Sequence, residues 1–418
     1  MADLQNWIRH GDEMRRPLLA NSDLPKAEKI VIVGGGLSGL CCALRIAEKR
    51  PDLPILLVEK SAELGGVIAT WQEDEWICDL AVNAARPHPA FWRLIDDLQL
   101  SDKFQTSNPK AKSRWILLGD KQHKLSPFSL FKIGPFKLRK ALKLVKNGGY
   151  SVADLMPHKQ IADALTLGIV NDTASNVDAD FLMPSVTKFG ENPPVKKSKL
   201  TSLITKSYPL FTPKKGTIAS LDGGMITLTK ALIERLRNMS NVEIRLNYNA
   251  QSPKSVATEN NVPLSSIIWS APGLKDGYES TELSVFAIGY EHQQVAKVKL
   301  GYGTLIPNKS LPISGILHES DIHQSKRSPS GHRLFRLMVP HSRWDNDEAS
   351  VLACAEKLLA EKPVLFTKIG ERKIPRYKPG YMASIATMSP DFSMIGWAVS
   401  GVSITHVVDE AERVAELF

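Results

Sequence analysis

The hydrophobic positions near the N-terminus follow the order strand, helix, strand. Residues 29–33 end in four consecutive β-branched apolar side chains, and residues 55–58 form a second apolar run; both are typical of buried strands. Between them, residues 40–49 repeat apolar side chains at helical spacing, with Leu40 and Leu44 on one face. The pattern predicts a β-α-β unit whose two parallel strands lie in one sheet.

Glycines fill the turn between the first strand and the helix, in the order Gly-Gly-Gly-Leu-Ser-Gly over residues 34–39. Gly34 permits a tight turn, Gly36 lets the backbone approach a pyrophosphate, and Gly39 lets the helix pack closely on the strand. The N-terminus of that helix offers unpaired N–H groups and a positive dipole end to phosphates. The acid at the end of the second strand is placed to accept hydrogen bonds from a ribose diol. We therefore predict a dinucleotide site containing Gly34, Gly36, Leu37, Ser38, Gly39, Glu59 and Lys60.

Composition and charge narrow the range of partners. The 418 residues carry a net charge of +9, which favours an anionic surface or acidic substrates, but no nucleic-acid-binding module is visible. The four cysteines show no C-x-x-C spacing and no Cys/His cluster, so we expect neither a disulfide framework nor a metal site, and a cytoplasmic location. There is no signal-like segment, and no apolar run approaches the roughly 18 residues of a spanning helix. We expect a protein that is soluble or rests on one membrane leaflet.

NAD and FAD share the first glycine fingerprint, so a further feature must separate them. A second glycine pair, Gly65-Gly66, follows the acid. This arrangement resembles flavoproteins of the amine oxidase and phytoene desaturase type, in which such a pair lets the chain pass close to the flavin diphosphate. The resemblance implies FAD as the cofactor, held in part by Gly65 and Gly66. No second G-x-G-x-x-G follows, so electrons must leave to oxygen or another external acceptor.

Several later motifs, taken in order, resemble the oxygen-dependent protoporphyrinogen oxidases of the flavin amine oxidase superfamily. The likeness runs with gaps from about residue 28 to 410 and includes Arg86-Pro87, residues 301–307, residues 315–320 and residues 374–377. It implies oxidation of protoporphyrinogen IX to protoporphyrin IX in haem biosynthesis, with molecular oxygen as acceptor and hydrogen peroxide as product. It also implies that Arg86 binds a propionate of the porphyrinogen, while no catalytic acid or base can be matched. The residues that close over the flavin would be Gly223, Gly224, Gly396, Trp397, Gly401 and Val402.

Three other functions stay open at this point. The substrate could be coproporphyrinogen III, oxidised to coproporphyrin III. The chain could have another activity of the flavin amine oxidase or desaturase type. It could also be a flavin-binding partner protein without turnover, a reading motivated by C-terminal departures such as Ser403 where relatives carry glycine.

The expected architecture is α/β. We predict a Rossmann-type FAD-binding domain assembled from residues 28–90, 215–275 and 380–418, with a mostly helical insertion over residues 100–205. A β-rich substrate domain is predicted over residues 283–378. Whether the chain forms a homodimer is left open by the sequence.

One segment bears on location. Residues 126–148 mix bulky apolar side chains with six basic ones, and a helix from Pro135 would group Leu138, Ala141, Leu142 and Val145 on one face. A basic amphipathic helix of this kind is typical of a peripheral anchor on anionic lipid, here the inner face of the cell membrane. The alternative is a helix that packs its apolar face into the protein and leaves its basic face in water.

Overall fold

A computed structural model of the protein describes residues 17–86, 88–125, 134–145, 148–183, 218–272 and 279–418. The strands of the first half are β1 Ile30–Val33, β2 Ile55–Val58, β3 Thr70–Glu73, β4 Trp76–Asp79, β5 Phe104–Thr106, β6 Arg114–Leu118, β7 Lys121–Leu125 and β8 Ala219–Leu221. The strands of the second half are β9 Val242–Arg245, β10 Ile267–Trp269, β11 Glu279–Glu291, β12 Gly303–Leu305, β13 Gly315–Leu317, β14 His332–Pro340, β15 Leu365–Arg376 and β16 Ser393–Met394.

The α-helices are numbered in the same way. Those of the first half are α1 Leu37–Lys49, α2 Pro89–Asp97, α3 Pro135–Leu144, α4 Val152–Leu155, α5 Lys159–Val170 and α6 Ala179–Leu182. Those of the second half are α7 Ile226–Arg237, α8 Pro253–Glu259, α9 Glu319–Ile322, α10 Glu348–Leu358, α11 Tyr381–Ala386, α12 Trp397–Ser400 and α13 Ile404–Ala415.

The first of the two large sheets is a five-stranded parallel sheet with the strand order β16-β10-β1-β2-β9. Every residue of β1 and β2 is buried, because helices cover both faces of the sheet. Helices α1, α7 and α13 pack on one face, and α8 packs on the other. The predicted β-α-β unit with parallel neighbouring strands is therefore confirmed.

Helix α1 is buried almost all round, because it lies between the parallel sheet and α13. Its small side chains Cys41 and Cys42 are fully buried in this packing. Burial raises the pKa of the Cys41 thiol to about 12, so the thiol stays protonated and acts as a small apolar group.

The second large sheet has seven strands, in the order β15-β11-β14-β13-β12-β6-β7. All neighbours are antiparallel except β6 and β12, which run parallel. Helix α10 packs against one face through Val351 and Ala355, and helices α4 and α5 pack beside Leu283 and Ile374 of β11 and β15. The expected combination of a Rossmann-like fold with a β-rich sheet domain is confirmed.

The region that we predicted as mostly helical, residues 100–205, begins with strands. Strands β6 and β7 form a hairpin at the edge of the large sheet, joined by a two-residue turn in which Gly119 has φ +60°. A glycine with positive φ in a two-residue loop is a strong hairpin signal, and it outweighs the surrounding charged residues. Helices α3 to α6 follow, while residues 184–205 lie outside the described residues.

Helix α3 corrects the membrane prediction in one respect. Its predicted lipid-facing side packs into the protein: Ala141 and Val145 are buried, and Leu142 contacts the same core cluster. The exposed apolar side chains of this helix are instead Phe136, 86% exposed, and Leu144, 45% exposed. Residues 126–133 and 146–147 lie outside the described residues. Among the helices that are described, none combines the length and the apolar character needed to cross a bilayer.

Candidate active site

The predicted nucleotide loop is built so that only glycine fits at two of its positions. Gly34 has φ +108°, and a Cβ atom there would lie 2.5 Å from Ser270 Oγ. A Cβ atom on Gly39 would lie 1.9 Å from the carbonyl oxygen of Gly34. The start of α1 therefore approaches the end of β1 at a distance that any side chain would prevent.

The two glycine pairs lie side by side. The Gly65 N–H donates to the Gly35 carbonyl oxygen at 2.8 Å, and a Cβ on Gly66 would lie 3.0 Å from Gly36 Cα. Gly36 itself has room for a Cβ atom, whose nearest heavy atom would be Gly66 Cα at 3.9 Å, an ordinary van der Waals contact. Gly36 is also the N-cap of α1, and no described side chain caps the helix there. Unsatisfied N–H groups around an open notch fit a diphosphate.

The acid at the end of β2 lies beside this notch. Glu59 Oε2 accepts a hydrogen bond from the Gly35 N–H at 2.6 Å, and Glu59 Oε1 accepts one from the Ser61 N–H at 2.9 Å. Each carboxylate oxygen has a further lone pair for a hydroxyl donor, so these contacts fit the expected ribose interaction. Lys60 follows at the same edge and is exposed.

The C-terminal segment reaches the same loop. A Cβ on Gly396 would lie 3.0 Å from Ser38 Oγ at the start of α1, and the Gly396 N–H donates to Glu410 Oε2 at 2.6 Å. Gly401 ends α12 with φ +85°. Trp397 and Val402 of the same segment line a cavity. The structure therefore places Gly396 beside the start of α1, and Trp397 and Val402 at the wall of the cavity.

The glycines at 223 and 224 lie further from the loop. Both have positive φ, and a Cβ on Gly224 would lie 2.8 Å from Asp79 Oδ1 and 2.4 Å from Thr70. Helix α7, which follows them, reaches the second glycine pair through Thr229, whose Oγ1 would lie 3.6 Å from a Cβ on Gly65. Gly223 and Gly224 thus position α7, and the structure does not bring them to the cavity.

A cavity of about 550 Å³ lies between the seven-stranded sheet, helix α5 and the C-terminal segment. This volume is in the usual range for small-molecule sites. Most of its wall is apolar, and the N-terminus of α13 reaches it through Ser403 and Ile404. The apolar lining includes Leu165, Leu167, Ile169, Leu182, Met183, Leu283, Leu305, Ile316, Leu317, Met338, Ile374 and Trp397.

Four arginines interrupt this apolar wall: Arg86, Arg114, Arg336 and Arg372. Arg114 lies over the Tyr302 ring at 4.7 Å, and Tyr302 Oη donates to Asn83 Oδ1 at 3.3 Å. Burial, followed by the charge of Arg114, lowers the pKa of Arg86. Within the described ranges, Arg86, Arg114 and Arg372 form no ion pair with any carboxylate. The cavity therefore holds positive charge that is not balanced by its own walls.

Behind the sheet, Arg336 belongs to a buried ionic network. Its Nε lies 3.0 Å from Glu319 Oε1, and a second nitrogen donates to the Asp79 carbonyl oxygen. His323 Nε2 lies 3.1 Å from Glu319 Oε2, and Arg327 pairs with Asp79 at 3.2 Å. Asp79, Glu319 and His323 lie close enough together to hold a metal ion. Arg327 and Arg336 already neutralise both carboxylates, which leaves no net charge to attract a cation.

A second cavity, of about 820 Å³, lies on the outer side of α5. Some of its charged side chains are already paired; Arg376, for example, bonds to Asp172, which also lines this cavity, and to Glu279. Among the residues that the structure describes, none of residues 396–402, whose Gly396 packs against the nucleotide loop, lines this second cavity. The smaller cavity is therefore the better candidate for the reacting site.

Sequence reasoning placed Arg86 at the substrate but assigned no role to Arg114, Arg336 or Arg372. A signal was available for Arg372: it alternates with Ile374 along β15, so it shares the inward face of that strand with an apolar residue. Arg336 alternates with Met338 on β14 in the same way. A charged residue on the apolar face of a strand has to meet a counter-charge or a ligand.

Comparisons with known proteins agree with this geometry. Residues 32–98 match the family described as NAD(P)-binding Rossmann-like domain. Protoporphyrinogen oxidase 1, chloroplastic, of Arabidopsis thaliana is 33% identical over 93 residues, which are 22% of this chain and 17% of that protein. The alignment thus spans about a sixth of that relative's length. Coproporphyrinogen III oxidase of Bacillus subtilis is 22% identical over 458 positions, which cover 92% of this chain and 96% of that protein.

Solved structures extend the likeness to the whole fold. A crystal structure from Exiguobacterium sp. 255-15, provisionally named a protoporphyrinogen oxidase, matches with a TM-score of 0.66 and 17% identity, covering 93% of this chain and 98% of that one. Cyclohexylamine oxidase from Brevibacterium oxydans matches with a TM-score of 0.62 and 13% identity, covering 94% of this chain and 98% of that one. The chain therefore has the Rossmann-like, FAD-binding α/β fold with a β-rich sheet domain that flavin amine oxidase-type structures share, and part of it is homologous to protoporphyrinogen oxidases.

Proposed function

We propose that this protein is an FAD-dependent oxidoreductase that oxidises a porphyrinogen to the porphyrin in haem biosynthesis. The substrate would be protoporphyrinogen IX, or coproporphyrinogen III as named for the Bacillus subtilis relative. Six hydrogens leave the macrocycle, and oxygen accepts them in pairs to form hydrogen peroxide. The observation that supports the proposal is the apolar, arginine-bearing cavity, which is lined by Trp397 and Val402 of the segment whose Gly396 packs against the start of α1.

The cofactor would be held mainly by backbone groups. The diphosphate fits the notch between Gly36 and Gly66 at the start of α1, and the adenosine ribose fits the carboxylate of Glu59. Gly34 and Gly39 keep the loop tight enough to form the notch. FAD supplies the hydride-accepting chemistry when bound, and the protein supplies orientation and electrostatics.

The N-terminus of α13 contributes to the electrostatics of the cavity. Its first turn begins at Ser403 and Ile404, both of which line the cavity, and no described side chain caps it. The positive end of the helix dipole would therefore favour an anionic group at this end of the cavity. Trp397 and the leucines of α5 exclude water from the same space.

The substrate would bind through its apolar body and its acid groups. A flat, apolar tetrapyrrole suits walls formed by leucine, isoleucine and methionine side chains, and Arg86 offers a fork of donors to a propionate. A cationic amine fits the cavity poorly, because four guanidinium groups line it. This charge favours a porphyrinogen oxidase over an amine oxidase.

We also propose that the protein is cytoplasmic and that it associates peripherally with the inner face of the cell membrane. The exposed ring of Phe136 lies on α3 among Lys137, Arg139, Lys140 and Lys143, all exposed. Basic residues near an anionic surface contribute about 1 kcal/mol each, and an aromatic ring adds apolar insertion. Phe136→Ser is expected to reduce co-sedimentation with anionic vesicles, whereas the control Val364→Ser, at an exposed position outside α3, is not. Equal co-sedimentation of both variants would refute the anchor.

The activity test uses purified holoprotein. A flavin spectrum is expected, and each porphyrinogen is supplied separately while porphyrin fluorescence and peroxide are followed. Under anaerobic conditions, substrate should bleach the flavin band, which reports electron transfer independently of oxygen. A flavin-containing protein that neither bleaches nor produces porphyrin with either substrate would refute the proposal and favour the non-catalytic alternative.

A further inference from the structure

The four arginines of the cavity form two pairs. The first arginine pair consists of Arg86 and Arg114, whose positive charges repel each other. The guanidinium of Arg114 lies over the ring of Tyr302. The second arginine pair is Arg336 with Arg372, which likewise repel each other. Both pairs line the same cavity, so their separation limits where the acid groups of a ligand can lie.

The register of the large sheet gives the separation of one member of each pair, Arg114 and Arg336; Arg372 lies two strands beyond Arg336 and five residues along β15 from the row of Arg336. Arg114 on β6 is opposite Gly303, Gly303 is opposite Leu317, and Leu317 is opposite Arg336. Arg114 and Arg336 thus stand in one row across the sheet, three strand spacings apart. Since neighbouring strands are about 4.8 Å apart, the two backbone positions are roughly 14 Å apart. Gly303 and Leu317 form an apolar floor between them.

Arg372 carries the unbalanced charge of the second pair. Arg336 is neutralised by Glu319, at 3.0 Å. Arg372 lies on β15 opposite Leu283, and within the described part of the chain its side chain has no hydrogen bond and no ion pair. Burial, followed by the charge of Arg336, lowers the pKa of Arg372. A guanidinium nevertheless stays protonated at neutral pH, so this side chain is a half-buried cation in need of an anion.

We propose that Arg372 is a second carboxylate-binding residue, on the side of the cavity opposite to Arg86 and Arg114. The site would then take a tetrapyrrole that carries acid groups on opposite edges, as the four-carboxylate coproporphyrinogen III does. Protoporphyrinogen IX carries both propionates on one edge and can satisfy only one arginine pair. This inference rests on the proposed porphyrinogen oxidation and deepens it, because it selects between the two substrates.

The test compares both substrates in holoenzyme variants. Arg372→Gln is expected to raise KM for coproporphyrinogen III by about ten- to a hundredfold, the loss of one charged hydrogen-bonded contact, while leaving KM for protoporphyrinogen IX unchanged. Arg372→Lys keeps the charge and should recover part of the loss. The matched control is Lys373→Gln, on the same strand with its side chain 72% exposed and paired with Glu282, and it should alter neither substrate.

Two further measurements keep the outcomes distinct. Thermal unfolding of Arg372→Gln should be no lower than that of the wild type, because the substitution removes an unpaired cation. Binding of coproporphyrin III and protoporphyrin IX to the holoenzyme is titrated by porphyrin fluorescence, so the subsite is judged even without turnover. A wild type that binds coproporphyrin III but oxidises neither porphyrinogen would refute the proposed function alone. Equal losses for the two ligands in Arg372→Gln, or no loss for either, would overturn the subsite.

Discussion

The nucleotide region and the cavity of this protein are built from different materials. The nucleotide region comprises β1, α1, β2 and the second glycine pair, all between residues 30 and 66. It offers a ligand backbone N–H groups and space that no side chain fills. The cavity offers side chains, and its arginines come from residue 86, β6, β14 and β15. A ligand bound by backbone tolerates changes in side chains that a ligand bound by side chains does not.

The two regions therefore depend on different kinds of residue: the nucleotide region depends on glycines, and the cavity depends on charged side chains. In the nucleotide region, missing side chains create the site, as at Gly36, where nothing lies within 3.9 Å of a built Cβ. In the cavity, charged side chains create it, and a buried ionic network behind the sheet holds Arg336 in place. Substitutions that fill space should damage the first region, and substitutions that remove charge should damage the second.

The largest effect is expected where space is smallest. Gly39→Ala would place a methyl group 1.9 Å from the Gly34 carbonyl oxygen, a contact that only a backbone shift can relieve. We expect a loss of about 3 kcal/mol or more in the free energy of unfolding, together with loss of bound FAD. Urea denaturation and the flavin content after purification measure the two effects. The control is Gly119→Asn at the β6–β7 turn, where no atom lies within 4 Å and positive φ is tolerated by Asn; a Gly39→Ala protein as stable as this control would contradict the tight contact.

The sequence predicted the first region well because its information is local. Strand, glycines, helix and acid follow each other within residues 29–66, so spacing alone orders them. The arginines of the cavity depend on the pairing of β6 with β12, which joins Arg114 to Gly303 across almost 190 residues. The pattern of apolar and polar residues within either strand does not predict which strand it pairs with. The motifs that resembled porphyrinogen oxidases, such as residues 301–307, gave the position of β12 but not the arginines opposite to it.

Helix α3 shows a second limit of sequence reasoning. Its period correctly groups Ala141 with Val145 on one face, but the period does not say whether lipid or protein covers that face. The protein covers it, because α4 supplies Val152 and Leu155 to the same cluster. Tertiary contacts that form over many residues decide this question, and they are invisible in a single amphipathic helix.

Asp79 joins the start of α7 to the buried arginines behind the sheet, and its removal is expected to cost about as much free energy of unfolding as Gly39→Ala. Its Oδ1 accepts hydrogen bonds from the Met225 N–H at 2.8 Å and from Thr70 Oγ1 at 2.6 Å, while its Oδ2 pairs with Arg327 at 3.2 Å. Asp79→Ala leaves the guanidinium buried and unpaired, which typically costs about 3–5 kcal/mol.

Denaturant unfolding of single and double variants measures this link. Adding Arg327→Met to Asp79→Ala should restore part of the stability, because the unpaired charge is then gone. The control Glu75→Ala removes an exposed ion pair with Lys326 and should change stability by less than about 1 kcal/mol. If the double variant is no more stable than Asp79→Ala, the unpaired charge is not the cause.

Acid should weaken the cavity region through Glu319. Burial opposes ionisation of this carboxyl, but Arg336, His323 and Arg327 outweigh burial and lower its pKa to about 2. Because the folded pKa lies below the unfolded value, the contribution to stability is complete above about pH 4.5 and is lost as the pH falls towards about 2. The total is of the order of 3 kcal/mol by the same linkage.

The measurement is the free energy of unfolding at several pH values between 5 and 3 in wild type and Glu319→Gln. The variant should be less stable at pH 5 and should lose less stability per pH unit. Burial lowers the pKa of the neighbouring His323, so its titration also reduces stability as the pH falls below about 6.5. The test therefore uses the difference between the slopes of the two proteins and not the slope of either protein alone. Parallel curves for the two proteins would contradict the assignment.

The smallest expected effect separates packing from ligand approach within the nucleotide loop. Gly36 has φ −77°, which any residue can adopt, and a Cβ there meets no protein atom closer than 3.9 Å. Gly36→Ala should therefore leave the free energy of unfolding of the apoprotein unchanged. The added methyl group would stand in the notch where the diphosphate must approach, so FAD affinity should fall about tenfold, or about 1.4 kcal/mol. Titration of apoprotein with FAD, followed by flavin fluorescence, measures the affinity. If both the affinity and the stability stay at their wild-type values, the diphosphate does not pass over Gly36, and the nucleotide region is not a site formed by missing side chains.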